Sequence, residues 1–276
     1  MSRGRAARLL AVACGGVVGA FALIALFAPW LAPYDPNGTD LGSRLLPPAF
    51  LERGRLAHPL GTDHLGRDIL SRLVAGSRVT LLVGASTVLL GGLVGGAIGL
   101  ATGFFGGVLD RVAMRLADVQ ASFPYILVSL ALIAVLGPSL GIVIAVLGLA
   151  SWPVYARTIR GAVLAVRSRD YVTVAVALGA HPMRILAAHV TPNVLGPLVI
   201  VATLQVSNVM IAEATLSFLG LGVPLSTPTW GGMLREGQSY LFYAPWLAAW
   251  PGLAIMLVAV STNFLGDALN DRIASA

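Results

Sequence analysis

Lysine is missing from this chain altogether, and all 18 of its basic residues are arginines. A Walker A phosphate loop requires a lysine beside a Ser or Thr, so any nucleotide energy this protein uses has to come from another polypeptide. Cysteine is nearly missing too. Cys14 stands alone inside the first apolar run, which rules out an intrachain disulfide and leaves it as a small buried hydrophobe. The four histidines, His58, His64, His181 and His189, are dispersed without a metal-ligand pair, and no His-Glu-x-x-His occurs. No catalytic, metal or cofactor residue is therefore assigned. Charge is scarce as well, at 11% of 276 residues against 57% hydrophobic, where a soluble domain has about 25% charged residues. The net charge of +6 lies scattered between apolar runs, which fits membrane topology and argues against nucleic acid.

What fills the chain is long apolar segments. A bilayer crossing needs about 20 mostly apolar residues, and six candidates stand out: 9–31, 79–104, 122–136, 140–155, 194–216 and 245–265, with Gly137-Pro138 turning between the third and fourth. The expectation is an all-α, six-span polytopic membrane protein lying in a lipid bilayer. Arginines mark the cytoplasmic side. An inside N-terminus puts Arg3, Arg5 and Arg8, Arg111 and Arg115, and the group from Arg157 to Arg184 in the cytoplasm, with the C-terminus there too. The segment from Tyr34 to Arg78 runs against this, since it is external yet holds six arginines, partly offset by acids such as Asp63 and Asp68.

Gly91, Gly95, Gly99 and Gly103 recur every four residues in the second span. Such a face lets helix backbones approach closely, either at the centre of this bundle or against a second membrane subunit. Glu213 falls inside the fifth span, where an ionisable side chain is costly and functional by default. It reads as a pathway or interhelix contact, with a residue such as Asn208 as partner, or as a structural hydrogen bond.

The least ordinary segment is a polar island from Tyr171 to Asn193, between two spans. Asp170 is expected to cap a short helix from Tyr171 that ends before Pro182. Ala175, Ala177, Gly179 and Ala180 keep its surface low, and Val172, Val176 and Leu178 supply apolar knobs for a docking partner.

The island resembles the EAA loop of ABC importer permeases, with Gly179 at the loop's Gly and Thr191-Pro192 at its Leu-Pro. Similarity extends over nearly the whole chain, through His58-Pro-Leu-Gly-Thr-Asp63, Leu65-Gly-Arg-Asp68, Phe123-Pro124, Ser151-Trp-Pro153, Ala212-Glu-Ala214 and Leu216-Ser-Phe-Leu-Gly-Leu-Gly222. It is most specific for the second permease subunit of dipeptide, oligopeptide and nickel importers. That resemblance implies the type I ABC importer permease fold, with an anchor helix and external loop over 1–77, a permease domain over 78–267 and a short cytoplasmic tail over 268–276. It makes the island a coupling helix that docks on an ATPase through Tyr171, Thr173, Val174, Ala175, Ala177, Leu178, Gly179 and Ala180. Thr173 and Val174 replace the usual Glu and Ala. The implied partners are a homologous second permease subunit, two cytoplasmic ATP-binding subunits or domains, and an extracytoplasmic substrate-binding protein. The implied site is the bacterial or archaeal cytoplasmic membrane. Peptide is the expected cargo, with nickel chelates, glutathione or another small solute as the alternative, and an ion-coupled secondary transporter or a membrane scaffold as rivals.

Overall fold

A computed structural model describes residues 3–224 and 226–274, with side chains over 9–224 and 226–271. The side chains of Arg3, Arg5 and Arg8, used above for topology, lie outside those described. Among the described residues there is no β-strand, and eleven α-helices carry the fold. They are α1 (Arg3–Leu26), α2 (Ala28–Leu31), α3 (Ile69–Phe105), α4 (Gly107–Ala121), α5 (Tyr125–Leu136), α6 (Leu140–Arg167), α7 (Asp170–Ala177), α8 (Pro182–Ile185), α9 (Thr191–Phe218), α10 (Trp230–Gln238) and α11 (Trp246–Ala274). Five helical stretches are long and apolar enough to cross a membrane, and α4 with α5 makes a sixth if the bent pair counts as one span.

Several boundaries differ from the sequence expectation. Residues 69–78, placed above in the external segment, are the first turns of α3, because the Asp68 carboxylate caps that helix by accepting from Ser71 N at 2.7 Å. The third span starts at Gly107, well before Ser122, and bends by 85° around Phe123-Pro124. Charges in α4 hid it from a search for apolar runs, and Pro124 forces the break by disfavouring helical geometry at the residue before it. The span also needs its positive-φ punctuation: Gly106 at φ 66° ends α3 and Gly137 at φ 88° ends α5. At the far end α11 runs on through the residues expected as a tail.

The wall at the centre of the bundle is the α3–α6 seam. A Cβ on Gly95 would come within 2.4 Å of the Trp152 carbonyl oxygen, and one on Gly99 within 2.6 Å of that of Ala156. Gly91 and Gly103 meet α6 in the same way, at Ser151 and Val163. The glycine face is thus filled by a helix of the same chain. On the other side, α9 and α11 are tied by Ser207 Oγ, which donates to the Ala259 carbonyl at 2.8 Å.

The segment from Tyr34 to Arg78, expected outside, is held by charge. Asp63 Oδ2 takes both Arg67 Nε at 2.6 Å and Arg72 Nη1 at 2.5 Å, and both arginines continue to Glu236 on α10. Asp68 accepts from Ser71 and lies 3.0 Å from His58 Nδ1. Asp63 and Asp68 are 1% and 2% exposed, so these two acids lie inside the folded segment and not on its surface. Burial opposes ionisation of Asp63, but Arg72 and Arg67 overcome it and hold its carboxyl below the usual carboxylate range. Two of the six arginines that defied the topology rule are therefore neutralised in place. Trp230 completes the clamp, fully buried with its indole N–H on the Leu73 carbonyl at 3.0 Å and its ring edge-on to Phe21.

Candidate functional site: a protruding helix and the cleft behind it

Helix α7 follows α6 after two residues and is only eight residues long. Asp170 is its first residue, and the cap position falls on Arg169, which makes no side-chain capping bond. The helix ends in a Schellman motif: Ala180 N donates to the Ala175 carbonyl at 3.1 Å and Gly179 N to that of Val176 at 3.0 Å. Gly179 has φ +75°, and a Cβ there would meet nothing within 4 Å. Glycine is required at this position by backbone conformation, with no crowding inside the chain.

One residue fastens α7. Val172 is 1% exposed and packs with Ile159, Val163, Ile185, Val190 and Val194, so it is an inward anchor and not the outward knob expected of it. Tyr171, Val174, Val176 and Leu178 face outward, Leu178 at 82% exposure. Thr173 is exposed, its hydroxyl reaching only the Arg169 carbonyl at 3.4 Å. Ala177 is exposed, and Ala175 and Ala180 sit half-buried against the inner cluster. A short helix with apolar side chains turned to the outside and one buried root is suited to insertion in a groove on a partner.

After α7 the chain turns at His181 and enters α8, then a π-helical turn over Leu186–Val190, then α9. Pro192 has no N–H for the Ala188 carbonyl, and the Thr191 hydroxyl bonds to the Leu186 carbonyl at 2.9 Å, which widens the turn. Pro192 is the one signal of this wider turn that the sequence carries.

The bend between α4 and α5 opens a cleft of about 460 Å³ against α6 and α9. Its polar lining comprises Gln120, Tyr125, Ser151, Arg157, Gln205 and Asn208. Gln120 is fixed at both ends, donating to the Ala150 carbonyl at 2.6 Å and accepting from Trp152 Nε1 at 2.8 Å. Arg157 pairs with Asp118 at 2.9 Å, and one helical turn further Arg160 grips Asp110 with Nη2 at 2.7 Å. These antiparallel α4–α6 contacts hold the broken span at the cleft's edge. Sequence reasoning singled out Asn208 here but none of Gln120, Asp118 or Gln205, because a lone polar residue gains meaning only from what the fold sets beside it.

Asn208 does not meet Glu213. Its amide donates to Gln205 Oε1 at 2.7 Å, whereas Glu213, 1% exposed, accepts from Ser217 Oγ at 2.7 Å away from the cleft. Gly137-Pro-Ser139-Leu-Gly141 matches the spelling of a hydrolase nucleophile elbow, but Ser139 caps α6 by accepting from Ile142 N at 3.2 Å, in a turn between two helices. That serine has a helix to start and no strand to leave.

Comparison with known proteins agrees with this arrangement. Residues 95–275 match the family model for the binding-protein-dependent transport system inner membrane component, and residues 8–48 match the N-terminal transmembrane domain of oligopeptide transport permease C. The chain is 41% identical over 263 residues to a di/tripeptide transport system permease protein of Pseudomonas aeruginosa, covering 95% of this chain and 87% of that one. It is 43% identical over 250 residues to the Escherichia coli dipeptide transport system permease (91% and 83% covered) and 40% identical over 257 residues to the E. coli nickel transport system permease (93% and 91%). The inward-facing methionine ABC transporter MetNI shares the fold, with TM-score 0.60 at 22% identity over 73% of this chain and 96% of that one. This multi-pass membrane chain belongs to the family of binding-protein-dependent transport system inner membrane components.

Proposed function

We propose that the chain is the permease subunit of an ATP-driven importer and forms half of a translocation pathway for di- and oligopeptides delivered by an extracytoplasmic binding protein. The observation that carries this reading is that α7, with its apolar face outward, lies between the ends of α6 and α9, the two long helices that line the cleft. A partner that grips α7 and moves it displaces both walls together, which converts closure of an ATPase pair into opening and closing of the cleft. ATP hydrolysis belongs to two separate cytoplasmic subunits or domains, consistent with a chain that has no lysine for a phosphate loop. A homologous permease subunit supplies the facing half of the pathway, and both termini lie in the cytoplasm.

Peptide is favoured over nickel by the lining of the cleft as well as by the names of the relatives. Amide and hydroxyl groups of Gln120, Ser151, Gln205 and Asn208 offer the donors and acceptors that a peptide backbone requires, and no His or Cys lines the cleft. The test is reconstitution of the purified complex in liposomes with labelled dipeptide. Uptake is expected only with both ATP and the binding protein, and uptake that persists without ATP under an ion gradient overturns the reading in favour of an ion-coupled carrier. Calorimetry on the binding protein, with dipeptide against nickel chelates, separates the two cargoes.

A further inference from the structure

A second cleft of about 540 Å³ lies at the outer end of the bundle, between α2, the turn after it and α3. Two opposite charges line it, Asp35 and Arg78, and they do not pair with one another. Among the described residues neither has any ion-pair partner, although Arg67 and Arg72 of the same external region are fully paired. Asp35 uses Oδ1 to accept from Asn37 N at 2.9 Å, and the neighbouring Tyr34 N is fixed on Ser71 Oγ at 3.0 Å, so the rim is held in place. Apart from Tyr34, which adds a phenol, the rest of the lining is apolar, from Ala28, Pro29, Ala32, Pro33, Pro36 and Ala75.

The depth of this cleft follows from helix lengths. Arg78 is followed by 27 residues of α3, ending at Phe105, which at about 1.5 Å per residue cover roughly 40 Å and leave Arg78 where the hydrocarbon of about 30 Å gives way to headgroups. Trp30 on α2 is 78% exposed beside the cleft, as a side chain seated at that level should be. An apolar-walled cleft at headgroup depth, with one unpaired cation and one unpaired anion, complements a ligand that carries a phosphate, an ammonium and acyl chains together.

We infer that Arg78 and Asp35 hold a phospholipid with a zwitterionic, ammonium-bearing headgroup, its phosphate on the guanidinium and its ammonium on the carboxylate. The lipid would fill the outer end of the α2–α3 junction and brace the anchor helix against the core. It also gives the exposed Arg78 a counter-charge, which Asp63 and Glu236 give to Arg67 and Arg72.

The experiment uses the complete importer, purified in mild detergent and exchanged against equal amounts of phosphatidylethanolamine and phosphatidylglycerol, with retained lipid quantified by mass spectrometry. Phosphatidylethanolamine is expected to be enriched. Arg78→Gln should lower its retention about fivefold, the effect of one Arg at a phosphate surface, and Asp35→Asn should bring phosphatidylglycerol up to parity. Equal retention of the two lipids by the wild type, or undiminished retention by Arg78→Gln, overturns the inference. Displacement of the lipid by dipeptide would assign the cleft to peptide, and displacement by inorganic phosphate alone would assign it to a soluble anion; either also overturns it. If Arg78→Gln does not assemble, the wild-type lipid ratio decides. The readout needs no transport, so its failure is distinct from failure of the importer reading.

Discussion

The two ends of this molecule solve opposite problems. At the end that the proposed topology places outside, buried Asp63, Arg67 and Arg72 pair with one another and with half-buried Glu236 across 173 residues of sequence, from Asp63 to Glu236. At the opposite end, which that topology places inside, α7 rests on Val172 and turns Val174, Val176 and Leu178 outward. A buried charge network tolerates almost no loss, since removing one member strands another in low dielectric. An exposed apolar helix tolerates much within the chain and depends on a second surface for its meaning. The outer end is suited to holding its shape, and the inner end, on the function proposed above, to being held.

The largest expected effect breaks the outer end. Arg72→Met leaves Asp63 and Glu236 sharing Arg67 alone, and the cost should be about 3–5 kcal/mol, read as a fall in the thermal unfolding midpoint of the purified protein in detergent. An unchanged midpoint would mean that the network contributes little to the fold. Acid attacks the same place more gently. Because the folded-state pKa of Asp63 is depressed, its stabilisation is present above the unfolded value of about 3.9 and is lost as pH falls through the lower folded value. Unfolding midpoints measured from pH 6 downward should therefore hold until about pH 4 and drop below it, and the Asp63→Asn variant should lack that added acid sensitivity.

The inner end should respond in the reverse sense, with small changes in stability and large changes in partnership. Gly179→Val forces a branched side chain into φ +75°, at about 1–2 kcal/mol, confined to the Schellman turn. The protein should still insert, while ATP hydrolysis by the assembled complex proceeds without matching uptake. Wild-type coupling in that variant would remove the docking role from α7. Leu178→Ser is the mildest change, with stability altered by less than about 0.5 kcal/mol because the side chain is exposed. Co-purification of the ATP-binding subunit should nevertheless weaken.

The bend in α4–α5 shows why some of this was legible in the sequence and some was not. Pro124 marked a break, yet Asp110, Arg111, Arg115 and Asp118 made the preceding 15 residues look like loop. They belong to a helix whose Asp110 and Asp118 pair with Arg160 and Arg157 on α6, and a pairing of that separation cannot be read locally. Asp63 and Asp68 misled for the same reason. In the sequence they are acids in a polar external segment; in the fold they are interior residues, Asp63 paired with Arg67 and with Arg72 on α3, and Asp68 with His58 and with Ser71 on α3. The Val172 side chain could equally have pointed out or in until Ile159 and Ile185 surrounded it.

By itself the sequence determined the solvent, the class and the kinship. Apolar runs long enough to cross a bilayer commit the backbone to helices, since lipid offers no other partner for its N–H and C=O groups, and a glycine every four residues commits one of those helices to close packing. The tertiary structure decided which acids are interior, where the third span bends, and which residues share the cleft. Those outcomes depend on contacts between side chains far apart in the chain, and their free energy exists only once both partners have been brought together and water has been removed.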